Sequence, residues 1–266
     1  MKPNDKYFKA NKTIWEQKTA VHVASKFYDV PAFKSGWSSL RAVELEGVGD
    51  VRGKRLLHLQ CHFGMDTLSW ARLGAEATGV DFSADAIKYA KDLSREIDVP
   101  ARFICSNVYD LKRMLKGKFD IVFVSYGCLG WLPDMGRWAE IVSHFLAPGG
   151  FLFLAEFHPV HWMLENGKVF YPYESGDEPL MFEPQGTYAD RKAKIKGKEY
   201  WWNHGLGKIV TSLIEAGLTI ESLREYPYSP YDAGNMVQRE DGNWVNKKLG
   251  EKIPYMFSIK AGKGRD

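Results

Sequence analysis

The chain has 266 residues, of which 45% are hydrophobic and 26% charged, with a formal net charge of +3. That length buries a substantial core in one large domain, or in a domain with a cap, and so mild a charge does not by itself argue for a nucleic-acid or membrane partner. The N-terminal "MKPNDKYFKANKTIWEQ" lacks the apolar stretch of a secretory signal, and no apolar run reaches bilayer-spanning length.

Residues 7–46 predict amphipathic helices carrying Trp15, Tyr28 and Trp37, ended by the glycine-marked "EGVGDVRGK". We read 1–50 as a helical cap and 51–266 as the main domain. The pattern then becomes regular: strand "RLLHLQC", helix 64–74, strand "EATGVDFS", helix 83–97, strand "ARFICSN", strand "FDIVFVSY", helix 134–147, strand "GFLFLAEF". Short apolar strands alternating with helices predict an α/β fold with a parallel sheet covered on both faces. Ser83, and Asp134 after Pro133, are helix-start signals. Beyond 156 the regularity breaks. Residues 157–200 are rich in aromatics, proline and glycine, and are expected to form an insertion over the sheet edge. A helix over 205–216, closed by Gly217, precedes two strands, 218–226 and 255–260, expected to pair as an antiparallel hairpin at the end of the sheet.

In a doubly wound sheet, ligands bind beyond the carboxyl ends of the strands. The turn 60–66 follows the first strand, and Gly64 is expected to let backbone approach a ligand. Asp81 ends the next strand, where a carboxylate can accept from both hydroxyls of a ribose. Asn107 ends the third, where an amide can read an adenine edge. The three positions converge on an adenosine. Cys61, Cys105 and Cys128 are an odd, widely spaced set beside apolar runs, which fits reduced thiols in a cytoplasmic protein.

From about residue 50 to the end, this arrangement resembles the class I S-adenosylmethionine-dependent methyltransferases. Their first motif, an acidic residue followed by Gly-x-Gly-x-Gly, matches the run from His58 through Gln60, Cys61, His62 and Phe63 to Gly64. The family's acidic ribose residue matches Asp81, and Asn107 stands where an aspartate usually faces the adenine amine. "KFDIVFVSYGCLGWLPD" is similar to the fourth-strand motif, and "IVSHFLAPGGFLFLAE" to the Leu-x-Pro-Gly-Gly lead into strand five. The resemblance implies a Rossmann-like, doubly wound, mostly parallel seven-stranded sheet with an antiparallel last strand. It also implies S-adenosylmethionine as cofactor, held by Gln60, Cys61, His62, Gly64, Asp81, Phe82, Asn107, Val108 and Ser125. Gln60 and His62 replace two of the three motif glycines, and their side chains are expected to reach the cofactor's methionine end. Trp37 and Arg41 are placed to contribute from the N-terminal helices.

An NAD-dependent oxidoreductase would need glycines that bring backbone to pyrophosphate, and these are missing here. His158 and His161 have a zinc-like spacing without companion ligands, so no metal is expected. The basic run 191–198 has no interleaved aromatics, and nucleic acid is not expected. For an N- or O-directed methyl transfer to a small molecule, His204, His158 and Tyr126 are the candidate bases. Trp15, Trp131, His161, Trp162 and Trp202 are the candidate acceptor lining, with Tyr171, Tyr173 and Trp201 nearby. A methyltransferase-like sensor that binds the cofactor without catalysis is the other reading. The expected assembly is a monomer or homodimer.

Overall fold

Strand β1 (Arg55–Leu59) is buried at every position after Arg55, the continuous burial of a strand covered on both faces. A computed structural model describes residues 5–234 and 236–265. Helices α1 (Asp5–Val23), α2 (Val30–Lys34) and α3 (Ala42–Val48) precede β1. After it come α4 (Met65–Arg72), β2 (Glu76–Asp81), α5 (Ala84–Glu96), β3 (Arg102–Cys105), α6 (Leu111–Met114), β4 (Phe119–Ser125), α7 (Met135–Phe145) and β5 (Leu146–Phe157). The chain continues with α8 (Pro159–Trp162), β6 (Leu164–Glu165), β7 (Lys168–Val169), β8 (Leu180–Phe182), β9 (Glu199–Trp201) and α9 (Leu206–Glu215). It ends with β10 (Leu218–Tyr226), β11 (Met236–Gln238), β12 (Trp244–Asn246) and β13 (Met256–Lys263).

Seven strands form one sheet in the order β10-β13-β5-β4-β1-β2-β3. Strand β13 runs antiparallel to both β5 and β10, and the other pairings are parallel. This is the expected doubly wound, Rossmann-like sheet with its terminal hairpin. Alternate residues serve opposite faces. Leu57, Leu59, Val122 and Val124 pack with Trp138 and Val142 of α7 and Leu213 of α9, whereas Leu56, Ile121 and Phe123 pack with Trp70 of α4 and Val48 of α3. Ser83 Oγ accepts from Ala86 N, and Asp134 Oδ1 from Arg137 N, so α5 and α7 start where their caps predict.

Three local expectations change. Helix α7 stops at Phe145, and residues 146–150 are already strand, because Pro148 disfavours helical backbone in the residue before it. The insertion forms two small hairpins, β6/β7 and β8/β9, and its residues line the same cavity as the carboxyl ends of the strands. It therefore lies over the strand ends, beyond the edge location expected. Helix α1 buries Asn11, Ile14, Lys18, Thr19 and His22, a mainly polar face, so the amphipathic reading of this segment fails for α1. The partners explain it: Asn11 Nδ2 donates to Tyr200 O and Asn11 Oδ1 accepts from Tyr200 N, while Gln17 exchanges the same two bonds with Lys196.

Candidate functional site

Beyond the carboxyl ends of the strands lies a cavity of about 750 Å³, walled by α1, the turn after β1, the ends of β2–β5, the insertion and the loop 231–234. All the residues expected to hold a cofactor line it: Gln60, Cys61, His62, Gly64, Asp81, Phe82, Asn107, Val108 and Ser125. Trp15, Tyr126, Trp131 and Trp162 line it too, as do Trp37, Arg41, Tyr171 and Trp201.

The turn after β1 keeps a glycine-type backbone without the glycines. Gln60 has φ 57° and His62 φ 50°, both left-handed, at the two positions where the motif has glycine. Each such residue costs about 1–3 kcal/mol and persists only where surroundings fix it. Here Gln60 Nε2 donates to Cys128 O at 2.8 Å, and His62 N donates to Asp81 Oδ2 at 2.9 Å. His62 Nε2 lies 2.9 Å from Nδ1 of His22, so the turn is also tied to α1. Gly64 has φ 84°, but an added Cβ would fall 2.7 Å from the Phe103 ring and 2.9 Å from Ala90 Cβ. Its missing side chain makes room for the core under the turn, not for a ligand above it.

Asp81 is 8% exposed; Oδ1 accepts from Ser83 N and Oδ2 from His62 N, both at 2.9 Å. Burial raises its pKa to about 6, against the pull of those N–H donors. Asn107 Oδ1 accepts from Tyr109 N at 2.9 Å, which leaves its amide nitrogen for a ligand. Buried atoms without a protein partner include Gln60 Oε1, Arg41 Nε, Glu44 Oε1 and the Tyr126 hydroxyl. Burial, with Asp66 nearby, raises Glu44 to about 8. Asp66 accepts from Ser39 Oγ at 2.6 Å and Ser125 Oγ at 3.0 Å.

Glu156, at the end of β5, organises the turn after β4. Its carboxylate accepts from the backbone N–H of Gly127, Cys128, Leu129 and Phe157. That turn carries Tyr126 at φ 25° and Trp131. The tryptophans touch in series: Trp15–Trp131 centroids are 5.3 Å apart, Trp131–Trp201 5.0 Å and Trp201–Trp162 4.6 Å. Gly130 is needed here, because a Cβ would lie 2.0 Å from the Trp201 indole.

Four expected site residues are not part of the lining. His204 is buried, with Nε2 2.7 Å from Leu132 O, and burial lowers its pKa to about 4. His158 caps α8, its Nδ1 accepting from Val160 N at 3.1 Å and its Nε2 2.8 Å from Glu225. His161 packs on Phe157, Trp162 and Tyr255. Trp202 is 1% exposed and donates Nε1 to Asp177 O at 3.3 Å. The base roles read for His204 and His158, and the acceptor-contact roles of His161 and Trp202, are corrected on this geometry. The sequence reading missed Lys18, His22, Tyr28, Asp66, Tyr188, Glu199 and Glu156. The signal available for the first two was the stripe Asn11, Trp15, Lys18, His22 at helical spacing, with an unusually polar inner face.

A mostly parallel sheet of this topology, with a carboxylate closing β2 and a left-handed turn after β1 opening on a cavity, is the arrangement in which doubly wound α/β folds place nucleoside ligands. Residues 57–152 match the family described as "Methyltransferase domain". The chain is 28% identical over 192 residues to a ubiquinone biosynthesis O-methyltransferase of Chromobacterium violaceum, covering 72% of this chain and 75% of that protein. The protein of the same name from Xanthomonas euvesicatoria is 31% identical over 136 residues, 50% of this chain; the match spans only 56% of that relative's length. A S-adenosylmethionine-dependent methyltransferase from Methanosarcina mazei shares the fold with a TM-score of 0.60 at 20% identity, covering 85% of this chain and 99% of that one. Over residues 57–152 the chain is thus similar to the methyltransferase family, and its fold is that of S-adenosylmethionine-dependent methyltransferases.

Proposed function

We propose that the chain transfers a methyl group to oxygen on a small molecule whose body is held among the cavity tryptophans. The carrying observation is one cavity lined both by the left-handed turn, Asp81 and Asn107 and by Trp15, Trp131, Trp162 and Trp201. The names of the relatives favour oxygen as the accepting atom. The reading places the enzyme in the cytoplasm as a monomer or homodimer, and the free thiols of Cys61, Cys105 and Cys128 support that compartment.

The cofactor, when bound, supplies an electrophilic methyl on sulfonium and a neutral thioether leaving group. Each Asp81 oxygen already takes one backbone N–H and keeps a second lone pair for a ribose hydroxyl. Asn107 would donate its amide to the adenine edge, with Phe82 and Val108 against the ring. Gln60 Oε1, buried and unpartnered, would accept from the methionine ammonium, and Arg41 would meet the carboxylate. The tryptophan wall would orient the acceptor and exclude water, the two contributions in-line transfer needs most. Tyr126, its hydroxyl pushed well above its usual pKa by burial and by Glu44, would act as a neutral hydrogen-bonding group there.

The test is incubation of the protein and S-adenosylmethionine with matched panels of phenols and amines, reading S-adenosylhomocysteine release and product mass. Acceptor-dependent turnover with phenols supports the reading. Turnover confined to amines, or none above the acceptor-free rate, would overturn it.

A further inference from the structure

The cavity wall contains a buried ion pair that also joins the N-terminal helix to the insertion. Lys18 Nζ and Glu199 Oε2 are 2.5 Å apart, with side chains only 7% and 15% exposed, and both residues line the cavity. Sequestering two charges costs several kcal/mol per ion before their attraction is counted, and an apolar pair would close the wall as well. Lys18 comes from α1 and Glu199 from β9, so the pair forms only where the N-terminal helix meets the insertion.

Its position is informative. The Lys18 ammonium lies 5.2 Å from the Trp15 ring centroid and 5.3 Å from that of Trp131. Trp15 in turn lies 5.2 Å from His62 of the cofactor turn. Lys18 therefore stands among the cavity tryptophans, one ring away from the turn after β1. Of the other cations among the described lining residues, Arg191 pairs with Asp232 at 3.3 Å, and Arg41 is the one the proposed function assigns to the cofactor's carboxylate. The titratable groups facing Lys18 are Glu199 from β9, His22 from its own helix and His62 from the turn. Burial and the Lys18 charge keep both histidines neutral. That leaves Glu199 as the carboxylate in direct contact with Lys18.

We propose that Lys18 and Glu199 are catalytic residues that exchange partners with an aromatic hydroxyl. The phenolic O–H proton passes to the Glu199 carboxylate, and the phenolate oxygen takes Glu199's place against the Lys18 ammonium. The phenolate lone pair then forms the O–CH3 bond as the S–CH3 bond breaks, its electron pair returning to sulfur. One proton remains, on Glu199, and leaves to solvent. The exchange keeps charge balanced at each stage, and the indole faces of Trp15 and Trp131 hold the ammonium in place throughout. The inference rests on the methyl-transfer reading but fixes the acceptor as a phenol and names the groups that ionise it.

The test reads ionisation, not turnover. 4-Nitrophenol, whose phenolate absorbs in the visible, is titrated into the protein saturated with S-adenosylhomocysteine. Saturation is checked first by calorimetry, so that failure of the cofactor reading is seen separately. At a pH where free 4-nitrophenol is mostly protonated, the bound ligand should show about tenfold or more extra phenolate, the effect of one nearby opposite charge. Lys18→Met should abolish the gain. Glu199→Gln, which leaves the ammonium without its counter-ion, should increase it. Structural damage would move both variants the same way, so the opposite signs carry the inference. No binding to the loaded protein, an unshifted spectrum, or variants that change together would overturn it.

Discussion

Alanine at Gly64 separates two accounts of the same glycine. At φ 84° an alanine pays the left-handed penalty of about 1–2 kcal/mol. Its Cβ would also lie 2.7 Å from Phe103 and 2.9 Å from Ala90, both core residues of the β3/α5 layer. Overpacking of this kind adds about 1–3 kcal/mol, so the total is about 2–5 kcal/mol. In a domain near this size, that lowers the melting midpoint by about 10 °C at the middle of the range. Thermal unfolding followed by circular dichroism gives the midpoint. A calorimetric titration with S-adenosylhomocysteine, at a temperature where the variant stays folded, gives the affinity. We expect a large loss of stability with affinity nearly unchanged. A variant that melts like the wild type but no longer binds would refute the packing argument and restore ligand approach as the reason for the glycine.

Other consequences follow from the buried carboxylates. In the proposed role Asp81 must be ionised to accept from two ribose hydroxyls, and burial pushes its pKa up to about 6. Affinity for S-adenosylhomocysteine should therefore fall as pH drops through 6, by at most about tenfold per pH unit, and level off above 7. Asp81→Asn should bind weakly with no such pH dependence, and calorimetry at a series of pH values checks both. Glu44, raised to about 8, favours its protonated form in the native state. Stability is then fully present below its ordinary range near 4.5 and is lost as pH rises toward 8. Glu44→Gln should melt higher than the wild type at pH 8 by on the order of a few kcal/mol, and the advantage should vanish near pH 4.5. Equal pH slopes in the two proteins would contradict this. Glu156→Gln cannot accept with both terminal atoms, which leaves some of the four N–H groups unpaired. It should cost about 2–4 kcal/mol in chemical denaturation, since bonds to a charged acceptor contribute about 1.5–3 kcal/mol; a wild-type curve would refute the role.

How much of this was legible in the sequence differs by kind of feature. The strands read clearly, because a strand buried on both faces is an apolar run whatever surrounds it. The place of Asp81 and Asn107 on the cavity wall was legible because both stand at strand ends, which in such a sheet open on the cavity. The backbone of the turn did not: nothing in Gln60 or His62 as residue types announces a left-handed conformation, which the Cys128, Asp81 and His22 contacts impose from outside. His158 and His204 misled because a histidine that caps a helix or bonds a carbonyl looks the same in sequence as one that takes a proton. Glu156 left a usable trace, a carboxylate closing the apolar run "LFLAEF". Lys18 and Glu199 left little, since 181 residues separate them and only the packing of α1 on the insertion brings them together.

The proposed function requires that a turn with Gln60 and His62 in place of glycines hold an adenosyl cofactor. Isothermal titration of the protein with S-adenosylhomocysteine, and separately with NAD, tests it most directly, with Asp81→Ala alongside. The account expects one-to-one binding of S-adenosylhomocysteine, a marked loss in Asp81→Ala, and no heat from NAD. Binding of NAD in its place, or unchanged S-adenosylhomocysteine affinity in Asp81→Ala, would contradict it.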